Sequence, residues 1–211
     1  MLCLYRLAIL AITAFVSNTL IAAPITRIIF LGDSITEGYG VSKSAAYPEL
    51  IAGKLPAKGH KQIKVINAGV SGSTTASAVS RLKWLLKGPP QPSLLVIALG
   101  GNDGLRGQDV KAMQQHLTEA VRYARQQGIA RVVIAGMQMP PNYGREYLHD
   151  FAAVFPAVAK AEQATLLPFL LAGVAGDAKL NQADGIHPNA AGQQIIAQNV
   201  LRAILPLLEG S

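Results

Sequence analysis

An α/β fold with a parallel sheet covered by helices on both faces is predicted by three observations. Short apolar runs rich in β-branched residues recur along the chain, at Thr26–Leu31, Ile63–Ile66, Leu94–Leu99, Val132–Ala135 and, more weakly, Thr165–Leu167. Helix-patterned stretches fill the gaps, and strands that alternate with helices cross over to parallel neighbours. No repeat, low-complexity tract or linker interrupts the alternation. A chain of 211 residues, 50% hydrophobic and 15% charged, is ample for one core and short for two.

The segment ahead of the first strand stands apart. Arg6 is its only charge, Leu7–Val16 is apolar but for one threonine, and the small residues Ala22 and Ala23 follow. This is the three-part layout of a secretory signal peptide. Pro24 would hinder cleavage after Ala23, so residues 1–22 are assigned to the signal and 23–211 to a single exported domain, periplasmic or released to the medium. An uncleaved anchor is the alternative, but the apolar run is shorter than the ~20 residues a spanning helix needs. No stable membrane anchor is expected. Cys3, the only cysteine, lies inside this segment. The mature chain would therefore have no disulfide, thiol nucleophile or thiolate metal site.

Among the helices, Val110–Gln127 is the clearest. Val110, Met113, Leu117, Val121 and Ala124 recur at spacings of three and four, and Lys111, Gln114, Arg122 and Arg125 mark the other face. Asp109 fits its N-cap and Gly128 the position past its end. Asn142 is placed as the cap of a helix over Tyr143–Lys160. Pro188 fits the first turn of a closing helix that runs to about Leu207.

Charge excludes little. The balance of 19 Lys and Arg against 12 Asp and Glu gives a net +7. The basic residues Lys54, Lys58, Lys61, Lys64, Arg81, Lys83 and Lys87 are scattered in sequence, without a polybasic block or interleaved aromatics. Nucleic-acid binding is not expected without a basic stripe, and a solvated surface accounts for the charge.

The unusual residues fall at strand ends. Gly32-Asp33-Ser34 follows the first strand, Asn67 to Ser73 the second, and Gly100-Gly101-Asn102-Asp103-Gly104 the third; Asp184-Gly185-Ile186-His187 lies beyond the fifth. In open α/β sheets ligands bind at the carboxyl ends of the strands, so these four segments should converge on one edge.

Together they hold what acyl transfer needs. A serine hydroxyl is a weak nucleophile until a base takes its proton, and histidine is tuned for that role. A carboxylate on Nδ1 fixes the histidine tautomer. Ser34, His187 and Asp184 are the candidates, and the last two can meet locally across three residues. The tetrahedral intermediate needs donors at its oxyanion, each worth roughly 3–4 kcal/mol. The backbone N–H groups of Ser34 and Gly72 and the amide of Asn102 could supply them.

These segments resemble the blocks of the SGNH (GDSL) hydrolase family. Gly-Asp-Ser-Ile-Thr matches its first block, Gly72 its second, Gly-Gly-Asn-Asp its third and Asp-Gly-Ile-His-Pro its fifth. The family's invariant letters would fall on Ser34, Gly72, Asn102 and His187. The bacterial thioesterase I/protease I/lysophospholipase L1/arylesterase group is similar beyond the blocks, through Gly100–Gly107, Pro141–Arg145 and Asp184–Asn189, over roughly Ile25 to Leu208. The resemblance implies a three-layer α/β/α sandwich of the SGNH (flavodoxin-like) type on five mostly parallel strands, no cofactor, and hydrolysis of acyl esters or thioesters. The setting of Ser34 is not Gly-x-Ser-x-Gly, so the α/β-hydrolase elbow is the wrong template.

Plainer readings stand beside these. Ser34 could be a helix cap, Asn102 and Asp103 turn residues, and Gly72 a backbone necessity. Asp33 reads as structural. Asp184 and His187 could hold a metal, but no further cluster completes a coordination set. His60, His116 and His149 read as surface. Leu105 among its glycines suggests a mobile loop, and Met137, Met139, Pro140 and Pro141 suit either an acyl groove or ordinary packing. The expected substrates are short-to-medium acyl esters and thioesters, with lysophospholipids within reach, acted on by a monomer. A carbohydrate O-acetylesterase and a non-catalytic binding domain are the rival readings.

Overall fold

The computed structural model describes residues 24–209; the expected signal segment and its cleavage point lie outside them. Five strands form one sheet: β1 (Arg27–Gly32), β2 (Lys64–Gly69), β3 (Ser93–Ala98), β4 (Arg131–Ala135) and β5 (Thr165–Leu167). Their order is β2-β1-β3-β4-β5, and every adjacent pair is parallel. Ile28–Leu31 and Leu94–Ile97 are fully buried, as near-continuous apolar strands must be when helices cover both faces.

The helices are α1 (Ser34–Glu37), α2 (Tyr47–Lys54), α3 (Ala78–Leu85), α4 (Gly101–Leu105), α5 (Val110–Gln126), α6 (Arg145–Ala161) and α7 (Ala190–Glu209). They sort into two layers: α2 packs against α7, while α3, α5 and α6 pack side by side. The three-layer α/β/α sandwich is the architecture expected, and all of its strand pairs are parallel. No helix among the described residues is long and apolar enough to cross a membrane.

Where capping chemistry is strong, the expected boundaries stand. The Asp109 side chain accepts from Ala112 N at 2.7 Å and starts α5. The helix ends one residue early, at Gln126, with Gly128 in the left-handed region at φ 86°. Three expectations need correction. Asn142 does not cap α6; it lies in a 3-10 turn over Pro141–Tyr143, and the helix starts after Gly144. The closing helix is capped by Asn189, whose Oδ1 accepts from Ala191 N and Gly192 N, so Pro188 precedes it. The second strand continues through Asn67, Ala68 and Gly69, because these pair with Phe30, Leu31 and Gly32 of β1.

The order reverses beside β1. The chain leaves β1 for β2 on one side and then crosses to β3 on the other, which opens a crevice between the carboxyl ends of β1 and β3. Ser34 directly follows the first of these strands and Asn102 lies in α4, directly after the second, so both flank that crevice.

Candidate active site

Ser34 begins α1, a single helical turn set on the end of β1. Asp33 caps this turn, its Oδ1 accepting from Ile35 N at 3.0 Å. Ile35 and Thr36 are buried beneath it, and Thr36 Oγ1 lies 2.9 Å from the buried Tyr47 hydroxyl. On the other side α1 rests on the end of β2. A Cβ on Gly69 would stand 2.1 Å from Glu37 N, so only glycine permits this approach. The capping role of Asp33 is the structural one expected. Burial pushes its carboxyl up to about 6, against the hydrogen bond from Ile35 and the charges of His187 and Arg81. Arg81 in turn donates to the carbonyls of Gly32 and Ala68, where β1 and β2 end.

His187 reaches Ser34 from the far end of the chain. Its Nε2 lies 2.9 Å from Ser34 Oγ, and its Nδ1 lies 2.7 Å from Asp184 Oδ2. The second Asp184 oxygen accepts from Ile186 N at 2.9 Å and His187 N at 3.0 Å. The His187 backbone N–H, then its ring, then the Ile186 N–H hold the Asp184 carboxyl down to about 2. An ionised carboxylate there requires the proton on Nδ1, which leaves the Nε2 lone pair facing the Ser34 hydroxyl. The Tyr39 ring lies against His187, with centroids 4.7 Å apart.

A bonded network holds the expected oxyanion donors. Gly72 has φ 76°, a conformation that favours glycine. Asn102 Nδ2 donates to Ser73 O at 3.0 Å, which uses one of its two N–H bonds and ties α4 to the Gly72 loop. Glu37 accepts from Ser71 N at 2.8 Å and from the Ser71 hydroxyl, which fastens the same loop to α1. Buried Asp103 accepts from Thr75 N at 2.9 Å and Thr75 Oγ1 at 2.6 Å.

The plain readings of four residues change here. Asp103 is a buried clamp rather than a turn residue. His116 is half-buried, its Nδ1 at 3.2 Å from Thr75 Oγ1. His60 is also half-buried, while His149 is exposed as expected. Leu105 ends the helical turn α4 and does not sit in an open loop, because Gly104 N and Arg106 N complete helical bonds to Gly100 O and Asn102 O.

An apolar groove of about 510 Å³ opens beside this cluster. Ile35 and Ile186, neighbours of Ser34 and His187, lie at one part of it. Leu105, Met137, Met139, Pro140, Pro141 and Phe169 continue the wall. Among the described residues no three His, Cys, Asp or Glu side chains are grouped to hold a metal ion.

Ser34, His187 and Asp184, hydrogen-bonded in line at the carboxyl edge of a parallel sheet with an apolar groove beside them, are an arrangement suited to a hydrolase. Comparison with known proteins agrees. The model of the GDSL-like Lipase/Acylhydrolase family matches residues 30–195. Esterase TesA of Pseudomonas aeruginosa is 42% identical over 181 residues, 86% of this chain and 89% of that protein. Thioesterase 1/protease 1/lysophospholipase L1 of Escherichia coli K12 is 37% identical over 187 residues, 89% of this chain and 87% of that protein. A crystal structure of TesA superposes with a TM-score of 0.82 at 41% identity, covering 86% of this chain and 99% of that one. The chain belongs to the GDSL (SGNH) hydrolase family and is a carboxylic ester hydrolase.

Sequence reasoning missed the supporting partners. Glu37, Asp103, Thr75, Gln182 and Arg81 carry no motif signal of their own, since each acts through a contact 28 or more residues away or through a backbone carbonyl.

Proposed function

We propose that the chain is an exported serine esterase that hydrolyses short-to-medium acyl esters and thioesters through an acyl-enzyme on Ser34. The observation that carries this reading is the hydrogen-bonded line from Asp184 through His187 to Ser34, with distances of 2.7 and 2.9 Å. His187 takes the Ser34 proton as Oγ attacks the acyl carbonyl. The backbone N–H groups of Ser34 and Gly72 and the free N–H of Asn102 receive the oxyanion. As the intermediate collapses, His187 protonates the departing alcohol or thiol. A water that His187 deprotonates then attacks the acyl-enzyme and releases the acid, which restores Ser34.

The groove supports an acyl chain longer than acetyl. Its flexible methionines adapt to chains of different length, and an acetyl group would leave most of it unfilled. Lysophospholipids fit the same reading, because their single acyl chain can enter while the headgroup stays outside. Residues 23–211 form the mature enzyme, acting as a monomer outside the cytoplasm after cleavage behind Ala22.

The test is a series of p-nitrophenyl esters from acetyl to palmitoyl with acyl-CoA thioesters beside them. Activity should extend to medium chains and to the thioesters. A sharp preference for acetyl alone would favour a carbohydrate O-acetylesterase. Wild-type hydrolysis by Ser34→Ala would overturn the mechanism.

A further inference from the structure

The whole net charge of the chain resides in one stretch. Seven of its 19 Lys and Arg residues fall between Glu49 and Asp103, and none of its 12 Asp and Glu residues does. The other 12 basic residues balance the 12 acidic ones, so this stretch alone carries the +7.

The fold gathers charges that look scattered in sequence. The stretch builds the end of α2, the edge strand β2 and α3, and α2 packs on β2. Because β1, β2 and β3 are parallel, α2 and α3 must both run back toward the strand starts. Lys54, Lys58 and Lys61 therefore approach the level of Lys64, which begins β2, and Lys83 and Lys87 return to it from the other face. Lys58, Lys61, Lys64, Lys83 and Lys87 are exposed. Among the described residues none of them pairs with a carboxylate. Only Arg81 is committed, to the carbonyls of Gly32 and Ala68.

Apolar surface lies on the same edge. Trp84, the sole tryptophan, is 77% exposed on the last turn of α3, and Val70 is 52% exposed just past β2. A groove lined by Ile66, Ala68, Val70, Arg81, Trp84 and Leu85 joins them. An indole left in water among unpaired lysines is the pattern that suits a membrane interface: the ring sits at headgroup level, and the ammonium groups meet lipid phosphates.

We infer that the β2–α3 edge docks the enzyme on a bilayer surface carrying anionic phospholipid. Charge complementarity selects this occupant, since a protein groove partner would need no lysine field and nucleic acid would find no basic stripe along a helix face. Edge-on docking lays the Trp84–Val70 line against the surface. Val70 adjoins the Gly72 loop, so the mouth of the site comes to rest beside the membrane plane. The inference concerns a surface apart from Ser34 and stands whether or not the acyl-chain reading above holds.

The test exploits the lone tryptophan. The purified protein is titrated with phosphatidylglycerol vesicles and, in parallel, with phosphatidylcholine vesicles, while indole emission and co-sedimentation are read. A blue shift and pelleting with the anionic vesicles alone, reversed by about 0.5 M salt, are expected. Lys83→Glu with Lys87→Glu should weaken binding by roughly tenfold or more. The same charge change at Lys111 and Lys160, exposed on α5 and α6, should leave it near wild type. All variants should hydrolyse a soluble ester at wild-type rates, which separates docking from folding. Unmoved emission with anionic vesicles, equal loss in the Lys111/Lys160 control, or equally tight binding to heparin or DNA would overturn the inference.

Discussion

Ser34 Oγ and His187 Nε2 stand 2.9 Å apart, yet the chain holds them by opposite means. The serine side is fixed by packing. It stands on a fully buried strand, over buried Ile35 and Thr36, on a turn pressed against Gly69. The histidine side is fixed by polar bonds in a long irregular segment between β5 and α7. Gln182 N donates to His187 O at 2.7 Å, and Gln182 Nε2 reaches Tyr39 O at 2.7 Å and Pro188 O at 3.2 Å. Asn181 and Pro188 form an isolated antiparallel bridge. Packing makes the serine side costly to disturb thermodynamically. Polar tethering should make the histidine side costly to disturb in activity.

Substitutions on the two sides should therefore separate activity from stability. The largest effect is expected from Asp184→Asn, which keeps the side-chain shape and loses the charge that sets the His187 tautomer. Its kcat should fall by about 10⁴-fold with the melting temperature unchanged; steady-state kinetics and a thermal scan read both. Thr36→Val is the converse. It strands the buried Tyr47 hydroxyl and should cost about 1–3 kcal/mol in a denaturant titration, while activity per folded molecule persists. Gln182→Ala loosens the histidine segment from Tyr39 and should lower kcat roughly fivefold with little change in melting. An equal loss of stability in Gln182→Ala and Thr36→Val would erase the distinction.

The smallest effect follows from pH. Burial raises the Asp33 carboxyl from 3.8 to about 6, so its folded form favours the proton. The stability this confers is fully present below the unfolded value and is lost as pH rises through the folded one. Relative to Asp33→Asn, the wild-type melting temperature should rise by roughly 3 °C between about pH 7 and about pH 4. Asp184 has the opposite sign. Held down to about 2, it stays ionised through this whole range, and stability from its bonds is lost only in stronger acid.

The same contrast explains what could be read in the sequence. Strands buried on both faces write themselves as continuous apolar runs, so β1 and β3 were legible almost to the residue. The meeting of Ser34, Asp184 and His187 was legible because glycine-flanked turns at strand ends are few and chemically distinctive. Their supporting partners were not. Asp103 clamps Thr75, and Glu37 holds Ser71, only after the sheet brings β1, β2 and β3 side by side. Asn142 looked like a cap because its residue type permits one, but Gly144 at φ 84° starts the helix two residues later. The lysines around β2 look scattered in sequence because the parallel crossovers that turn α2 and α3 back toward the strand starts leave no mark in their spacing.

The most direct measurement is labelling by a serine-reactive phosphonate followed by peptide mass mapping. One adduct is expected, on the peptide that holds Ser34, absent from Ser34→Ala and strongly slowed in Asp184→Asn. An adduct on another serine, or undiminished labelling of Ser34→Ala, would contradict the assignment of Ser34 as the nucleophile.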